Sequence, residues 1–323
     1  MQSISKTQIA PATAAAIVER AFGADAALAE LQELTEGFFN AAYLLRLAGG
    51  RRCVLKIAPP ANVPVLRYER NIIYAEVATI ELVRARTSVP APAVLHFDDT
   101  CQLVGSPYFL MEYLPGVPLH HLRQRLSAAE QQPIDRAIGG DLREINAIGG
   151  AAFGYATPGA PRYACWKDAF LAMLDGVLAD GQALGIALPR PYATLREQVA
   201  RQAHALAPIG TPQLVHWDLW DGNIFVDPET RQISGVIDFE RALWGDPLIE
   251  VQFRTAELPA GFAAGYGASP LEQPGAPARR VLYNIYLYLI MIIECTYRQF
   301  PTNDQELWAR EQLGQELARL DAL

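Results

Sequence analysis

The chain has 323 residues, a net charge of −8 and just over half of its residues apolar, enough to bury a large core in two modest lobes or one large domain. Charged residues are only 19% of the total and form no Lys/Arg run, which excludes a disordered chain and argues against a nucleic-acid or anionic-membrane surface. The acidic balance is permissive for a cationic ligand. Cys53, Cys101, Cys165 and Cys295 stand far apart with no paired ligand spacing, so they read as reduced, mostly buried thiols of a cytoplasmic protein. Glu19 and Arg20 interrupt the only apolar candidate for a leader near the N-terminus, and secretion is not expected.

Residues 12–22 have helical spacing and stop at Gly23. Residues 31–57 read as strand, loop, strand, a turn at Gly49 and Gly50, and a further strand that holds a single lysine, Lys56, among apolar neighbours. A lysine in that setting needs an anionic partner, because a bare ammonium there is costly. After Pro59, Pro60 and Pro64, residues 67–86 read as one long helix, ended by Pro90 and Pro92. Residues 107–116 form a strand closed by Pro115 and Gly116. Ser127 and Glu130 make a capping box for a helix to about residue 145, residues 149–161 are loop, and residues 163–185 and 192–206 are helical. Asp246 followed by Pro247 marks another helix start. The closing helices cover residues 279–297 and 304–320. Residues 282–293 are the most apolar stretch, too short for a bilayer and broken by Asn284, so they read as a buried helix.

The segment that could carry chemistry is 214–226 with 233–240. An apolar strand enters a polar loop, a short strand follows, a turn at 228–232 reverses the chain, and a third strand ends on Asp238. Asp218, Asn223 and Asp238 are thereby expected together at one end of a small buried hairpin. Phosphoryl transfer needs such a set: one carboxylate to receive the acceptor's proton, and an amide with a second carboxylate to hold Mg2+. The alternative reading is a polar loop capped by its own Asp and Asn side chains.

The order His216-Trp217-Asp218, Asn223, then Asp238-Phe239 resembles the catalytic and magnesium motifs of the protein-kinase-like superfamily. The wording of residues 216–223 and 237–240 is most similar to its aminoglycoside phosphotransferase branch. The resemblance covers roughly residues 30–250. It implies an α+β, bilobal fold: an N-terminal antiparallel sheet with one long helix over residues 1–113, and a mainly helical C-terminal lobe over residues 114–323. ATP or GTP would be the phosphoryl donor. Lys56 would contact its phosphates and Glu76 would fix Lys56, with Glu69 and Glu81 solvated. The loop 35–40 would cover the phosphates through backbone N–H groups, the Thr35 hydroxyl and the Asn40 amide, although Gly37 is its only glycine. Met111, Glu112, Tyr113 and Leu114 would form the hinge against adenine.

In this frame Asp218 would orient the acceptor hydroxyl and take its proton, Asn223 and Asp238 would hold Mg2+, and His216 would brace the loop rather than move a proton. Trp217 replaces the arginine that in protein kinases would read an activation-loop phosphate, Trp220 stands where they place a lysine beside the phosphoryl group, Glu240 replaces the third residue of Asp-Phe-Gly, and the short span from Asp238 to Asp246 leaves no room for an activation loop. A small hydroxylated molecule bound among the C-terminal helices is the acceptor this implies. Trp220, Asp221, Glu240 and Trp244 could bind a cationic one; they read equally well as rim and core groups. Antibiotics, amino sugars, choline-like amines and homoserine-like amino acids are all phosphorylated by relatives, so antibiotic resistance and primary metabolism both stay open, as does oligomeric state. Two other classes compete. A binding-only pseudokinase would have damaged chemistry, whereas Lys56, Asp218, Asn223 and Asp238 are all present; a metal-dependent phosphoesterase would need a second metal cluster that the five scattered histidines do not offer.

Overall fold

Helix α1 (Pro11–Phe22) starts on a proline, whose missing N–H costs nothing at a first helical position, and ends at Gly23 with φ of 94°. The computed structural model in which it lies describes residues 6–37, 39–254 and 257–323; Phe38 of the loop singled out above lies outside the described residues. The buried face of α1, Ala14, Ile17 and Val18, packs on an antiparallel sheet of β1 (Leu28–Leu34), β2 (Ala41–Leu47), β3 (Arg52–Ile57), β4 (Val94–Asp98) and β5 (Tyr108–Glu112). Their order is β1-β2-β3-β5-β4. Side chains alternate across a strand, so Cys53, Leu55 and Ile57 point to the α1 face while Val54 and Lys56 point to the other. That period of two is what aims Lys56 at the rest of the molecule.

Helix α2 (Ile72–Arg86) covers this second face, with Ile73, Val77, Ile80 and Val83 in the core. One continuous helix was expected from residue 67. Instead, Arg67–Glu69 form a single 3-10 turn and Asn71 takes a left-handed φ of 61° before α2 begins. The break has a tertiary cause. The Arg67 amide and Nε both donate to Asp180, each at 2.8 Å, and Arg298 Nη2 donates to Glu69 Oε1 at 2.6 Å. Glu69, expected in solvent, is only 3% exposed.

Beyond β5 the chain makes β6 (Val117–Pro118), the short α3 (His120–Arg123), α4 (Ala128–Asn146), β7 (Gly154–Tyr155), α5 (Trp166–Ala183) and α6 (Tyr192–Gln202). Ser127 and Glu130 do form the capping box of α4. Then come β8 (Gln213–Val215), β9 (Ile224–Val226), β10 (Ile233–Val236), β11 (Leu243–Gly245), α7 (Ala260–Tyr266), α8 (Ala276–Arg298) and α9 (Asp304–Asp321). Two small sheets, β10-β9-β6 and β7-β11-β8, sit among these helices. Helix α8 is buried on most of its faces, which explains its apolar sequence, and three of the polar side chains it buries are tied down, Arg279 by Asp246, Asn284 by Glu316, and Arg298 by Glu69 and Glu294. Among the described residues no helix is long and apolar enough to cross a membrane. Of the four thiols only Cys53 and Cys295 are buried; Cys101 and Cys165 are exposed, because they sit in connections rather than in strand or helix interiors.

Helices α4 and α7 touch through glycine. A Cβ on Gly139 would fall on the Phe262 carbonyl, and one on Gly265 would fall on the Arg136 carbonyl. Neither neighbour is a flexible side chain, so the clash has no cheap relief. Gly265→Ala is therefore expected to destabilise the protein by about 1–3 kcal/mol, read as a lower urea midpoint with an unchanged slope; an unshifted midpoint would rule out this backbone contact.

Candidate active site

The centre of the site is the Lys56 ammonium. It donates to Glu76 Oε1 on α2 at 2.6 Å and to Asp238 Oδ1, two residues past β10, at 2.7 Å. Burial opposes the charge on Lys56, yet Asp238, Glu76 and Glu240 together outweigh it and hold the ammonium above the ordinary lysine range. Glu76 is fully buried, and burial raises its pKa against the pull of Lys56. For Asp238 the balance is reversed: Lys56 overcomes burial and keeps the carboxyl below its ordinary value. Glu240 Oε2 accepts from Asn40 Nδ2 at 2.6 Å, which draws the loop after β1 down to the same cluster; burial, reinforced by Asp238, raises the Glu240 pKa.

Asp218 and Asn223 lie in the loop between β8 and β9. Asn223 Nδ2 donates to the Asp218 carbonyl at 2.8 Å and to Asp218 Oδ2 at 3.3 Å. Burial pushes Asp218 up to about 7, with Arg241 pulling the other way. His216 has no exposed surface and both ring nitrogens are used: Nε2–H donates to the Ile237 carbonyl at 2.9 Å, and Nδ1 accepts the Asp218 amide at 3.2 Å. Burial lowers its pKa to about 4, so the ring is neutral near pH 7 and ties β8 to the chain just before Asp238. Trp217 and Asp238 both hold left-handed backbone, φ 65° and 69°, a strained state that surrounding bonds must impose.

At Trp217 those bonds come from Glu250, and beside Asp238 from the His216 ring on the Ile237 carbonyl. The buried Glu250 carboxylate accepts the Trp217 amide at 2.6 Å, the Leu219 amide at 3.1 Å and its neighbour Val251's amide at 2.9 Å. Burial pushes Glu250 up to about 7 while the three N–H donors favour its charged form. Asp246 is engaged structurally, receiving Arg279 Nε at 2.8 Å and the Tyr283 hydroxyl at 2.7 Å. Arg241 is a further charged group at the site. It follows the Asp-Phe-Glu run directly, reaches Glu294 at 3.3 Å and lies over the Tyr68 ring at 5.9 Å. Its position in the sequence was plain; the direction of its side chain depends on the turn at 239–241.

The donor set suits a hard divalent cation. One carboxylate oxygen each from Glu76, Asp238 and Glu240 lies within 4.8 Å of the others, and both Glu76 Oε2 and Asn40 Oδ1 are buried without a hydrogen-bond partner. Oxygen ligands, with Asn223 holding its amide N–H towards Asp218, are what Mg2+ takes. Of the residues expected at the hinge, Met111 and Glu112 continue the ladder of β5 opposite Val54 and Cys53, Tyr113 lies under Arg52 at 4.0 Å, and Leu114 fills the space over Gly235. In the loop after β1 the Thr35 carbonyl accepts Lys6 Nζ at 3.3 Å, and a Cβ on Gly37 would make an ordinary 3.8 Å contact with the Asn40 carbonyl. The four residues offered for a cationic acceptor separate. Glu240 joins the Lys56 cluster, Asp221 is held by Arg123 at 2.5 and 2.9 Å, the half-buried Trp244 ring lies against Gly150, and Trp220 remains exposed and stacked on His120.

The family model of the phosphotransferase enzyme family matches residues 30–282. Acyl-CoA dehydrogenase family member 10 of Mus musculus is 26% identical over 271 residues, covering 80% of this chain and 23% of that protein. The chain spans about a quarter or less of the length of the curated relatives it matches. Among solved structures, a thermostable mutant of aminoglycoside phosphotransferase APH(4)-Ia in a ternary complex with ADP and hygromycin B superposes with a TM-score of 0.62, at 20% identity, over 96% of this chain and 99% of that one. A putative fructosamine-3-kinase from Thermobifida fusca gives 0.65, at 19% identity, over 94% and 98%. The shared fold is the sheet with its covering helix and the helical body described above.

Replacing one Glu250 oxygen by an amide would leave a backbone N–H facing another donor. Glu250→Gln is expected to cost about 1–3 kcal/mol in urea unfolding and to increase amide exchange at Trp217 and Leu219; unchanged exchange at both would remove Glu250 as the brace.

Proposed function

The chain belongs to the phosphotransferase enzyme family, and on that premise we propose that it moves the γ-phosphoryl group of ATP or GTP to a hydroxyl of a small molecule in a Mg2+-dependent reaction. The observation that supports this most is the single buried cluster of Lys56, Glu76, Asp238 and Glu240, with Asp218 and Asn223 on the adjoining loop. Bound Mg2+ would supply positive charge against the donor phosphates. Asp238, Asn223 and Glu240 offer the oxygens to hold it. Lys56, fixed by Glu76, offsets charge on the phosphate oxygens, and the loop 35–40 with Thr35, Gly37 and Asn40 covers them. Main-chain groups from Met111 to Leu114 receive the base. We take residues 1–113 as the nucleotide lobe, residues 114–323 as the acceptor lobe, and the cytoplasm as the compartment.

Asp218 orients the acceptor hydroxyl and takes its proton as the new P–O bond forms. A carboxylate with a raised pKa is a stronger base than an ordinary one, which suits that step. His216, neutral and doubly hydrogen-bonded, holds Asp218 in place without moving a proton. A pseudokinase is disfavoured because no member of the set is missing.

For the acceptor we propose an aminoglycoside or another hydroxylated antibiotic, by analogy with the neighbour bound to hygromycin B. A metabolite of lower positive charge, such as an amino sugar or a ketoamine, is the second reading. What favours it is that two carboxylates suited to a polycation are already engaged, Glu240 by Asn40 and Asp221 by Arg123, while the Arg241 cation stands close to Asp218.

ADP or GDP release measured against aminoglycosides, other hydroxylated antibiotics, amino sugars, choline and amino alcohols discriminates these readings. Asp218→Asn is expected to lower turnover by about 10²–10⁴-fold with nucleotide affinity retained. Near-full turnover in that variant would refute the assignment of Asp218, and nucleotide binding without turnover on any acceptor would point to a metabolite outside the panel.

A further inference from the structure

Glu36 lies in the loop between β1 and β2, whereas His120 and His121 open α3, yet the fold sets the three side chains together. His121 Nε2 is 3.6 Å from Glu36 Oε1, and one ligand atom of each residue lies within 4.8 Å of the other two. The two imidazoles are 3.9 Å apart, centroid to centroid. A metal with bonds of about 2.0–2.2 Å spaces tetrahedral ligands roughly 3.3–3.6 Å apart, so His121 and Glu36 already stand at that spacing and the His120 ring has to close in from within 4.8 Å.

A second observation points to a ligand. Nδ1 of His120 is buried with no hydrogen-bond partner, a rare state for a buried ring nitrogen. The ring is also oriented from outside the cluster: it stacks on Trp220 at 5.4 Å and 28°, and the His120 amide donates to the Asp221 carbonyl at 3.2 Å. Imidazoles held in position by their surroundings lose little freedom on binding a metal.

We propose that Glu36, His120 and His121 form a binding site for a borderline transition-metal dication, with Zn2+ as the reference ion. Two imidazole nitrogens and one carboxylate oxygen select Zn2+, Ni2+ or Cu2+ over Mg2+, which prefers an all-oxygen shell. The site is therefore chemically distinct from the carboxylate cluster around Lys56. Glu36 and His121 are exposed, with side-chain exposures of 68% and 48%, so water can complete the coordination. An ion here ties the segment after β1 to α3 and, through the His120–Trp220 stack, to the loop that carries Asp218. Slower nucleotide exchange in the metal-bound protein follows from that tie; this consequence rests on the phosphotransferase reading, while the binding itself does not.

The test is a calorimetric titration of the full chain with ZnCl2, without nucleotide and with millimolar Mg2+ present, alongside Co2+ absorption as a report of coordination geometry. One saturable equivalent is expected, with Mg2+ failing to compete. Affinity should fall at least about tenfold in each of Glu36→Gln, His120→Asn and His121→Asn, whose folding is checked by thermal melting without metal. Absence of saturable binding would overturn the proposal, as would full affinity in any one of Glu36→Gln, His120→Asn or His121→Asn. So would binding lost only when the exposed thiols are replaced, in a Cys101→Ser, Cys165→Ser double variant. Because the titration needs neither nucleotide nor turnover, a protein that binds Zn2+ but neither binds nor turns over ATP or GTP would sink the phosphotransferase reading alone.

Discussion

A buried lysine with three carboxylates around it is the constraint on which the site depends. Taking the Lys56 ammonium out of water costs several kcal/mol unless partners satisfy it, and the partners come from separate parts of the chain: Glu76 from α2, Asp238 and Glu240 from the turn after β10. None of these elements can shift alone without leaving a charge unpaired in an apolar interior. The ion cluster therefore fixes the sheet, its covering helix and the hairpin in one arrangement. It also sets three carboxyl groups against one ammonium, oxygen donors that a bound cation can use.

The loop bearing Asp218 is held in a different way. Its backbone is bent into left-handed conformation at Trp217, and Asp238 across from it is bent likewise. Such strain persists only where hydrogen bonds over-determine the chain. Glu250 supplies two to the loop's amides, His216 supplies one on each side, and Arg279 with Tyr283 fixes Asp246 underneath. Removing water from so many polar groups raises the pKa of Asp218 and Glu250 together. Rigidity and basicity at the loop thus have one physical origin.

The strands over residues 31–57 and 107–116, the place of Lys56 and the pairing of Asp218 with Asn223 could be read because they are local, whereas β4 carries no comparable local signal. Alternation along β3 aims Lys56, and a tight hairpin can join only its own ends. The long helix from residue 67 could not be read correctly, since propensity favours its continuation and the interruption at Asn71 comes from Asp180 and Arg298, far along the chain. Glu69 and Glu76 look alike in sequence. One meets an arginine of α8 and the other meets Lys56, and only packing decides which.

The sequence by itself determined the family, the antiparallel sheet followed by helices, and the set of groups capable of chemistry, because strand period, turn residues and motif spacing act over short distances. The tertiary structure alone decided which of those groups are buried together, which are spoken for by Arg123 or Asn40, that Glu250 and Arg241 belong to the site, and that Glu36 meets His120 and His121. Each of these depends on the direction of a side chain after distant elements have packed, and no local rule of spacing contains that direction.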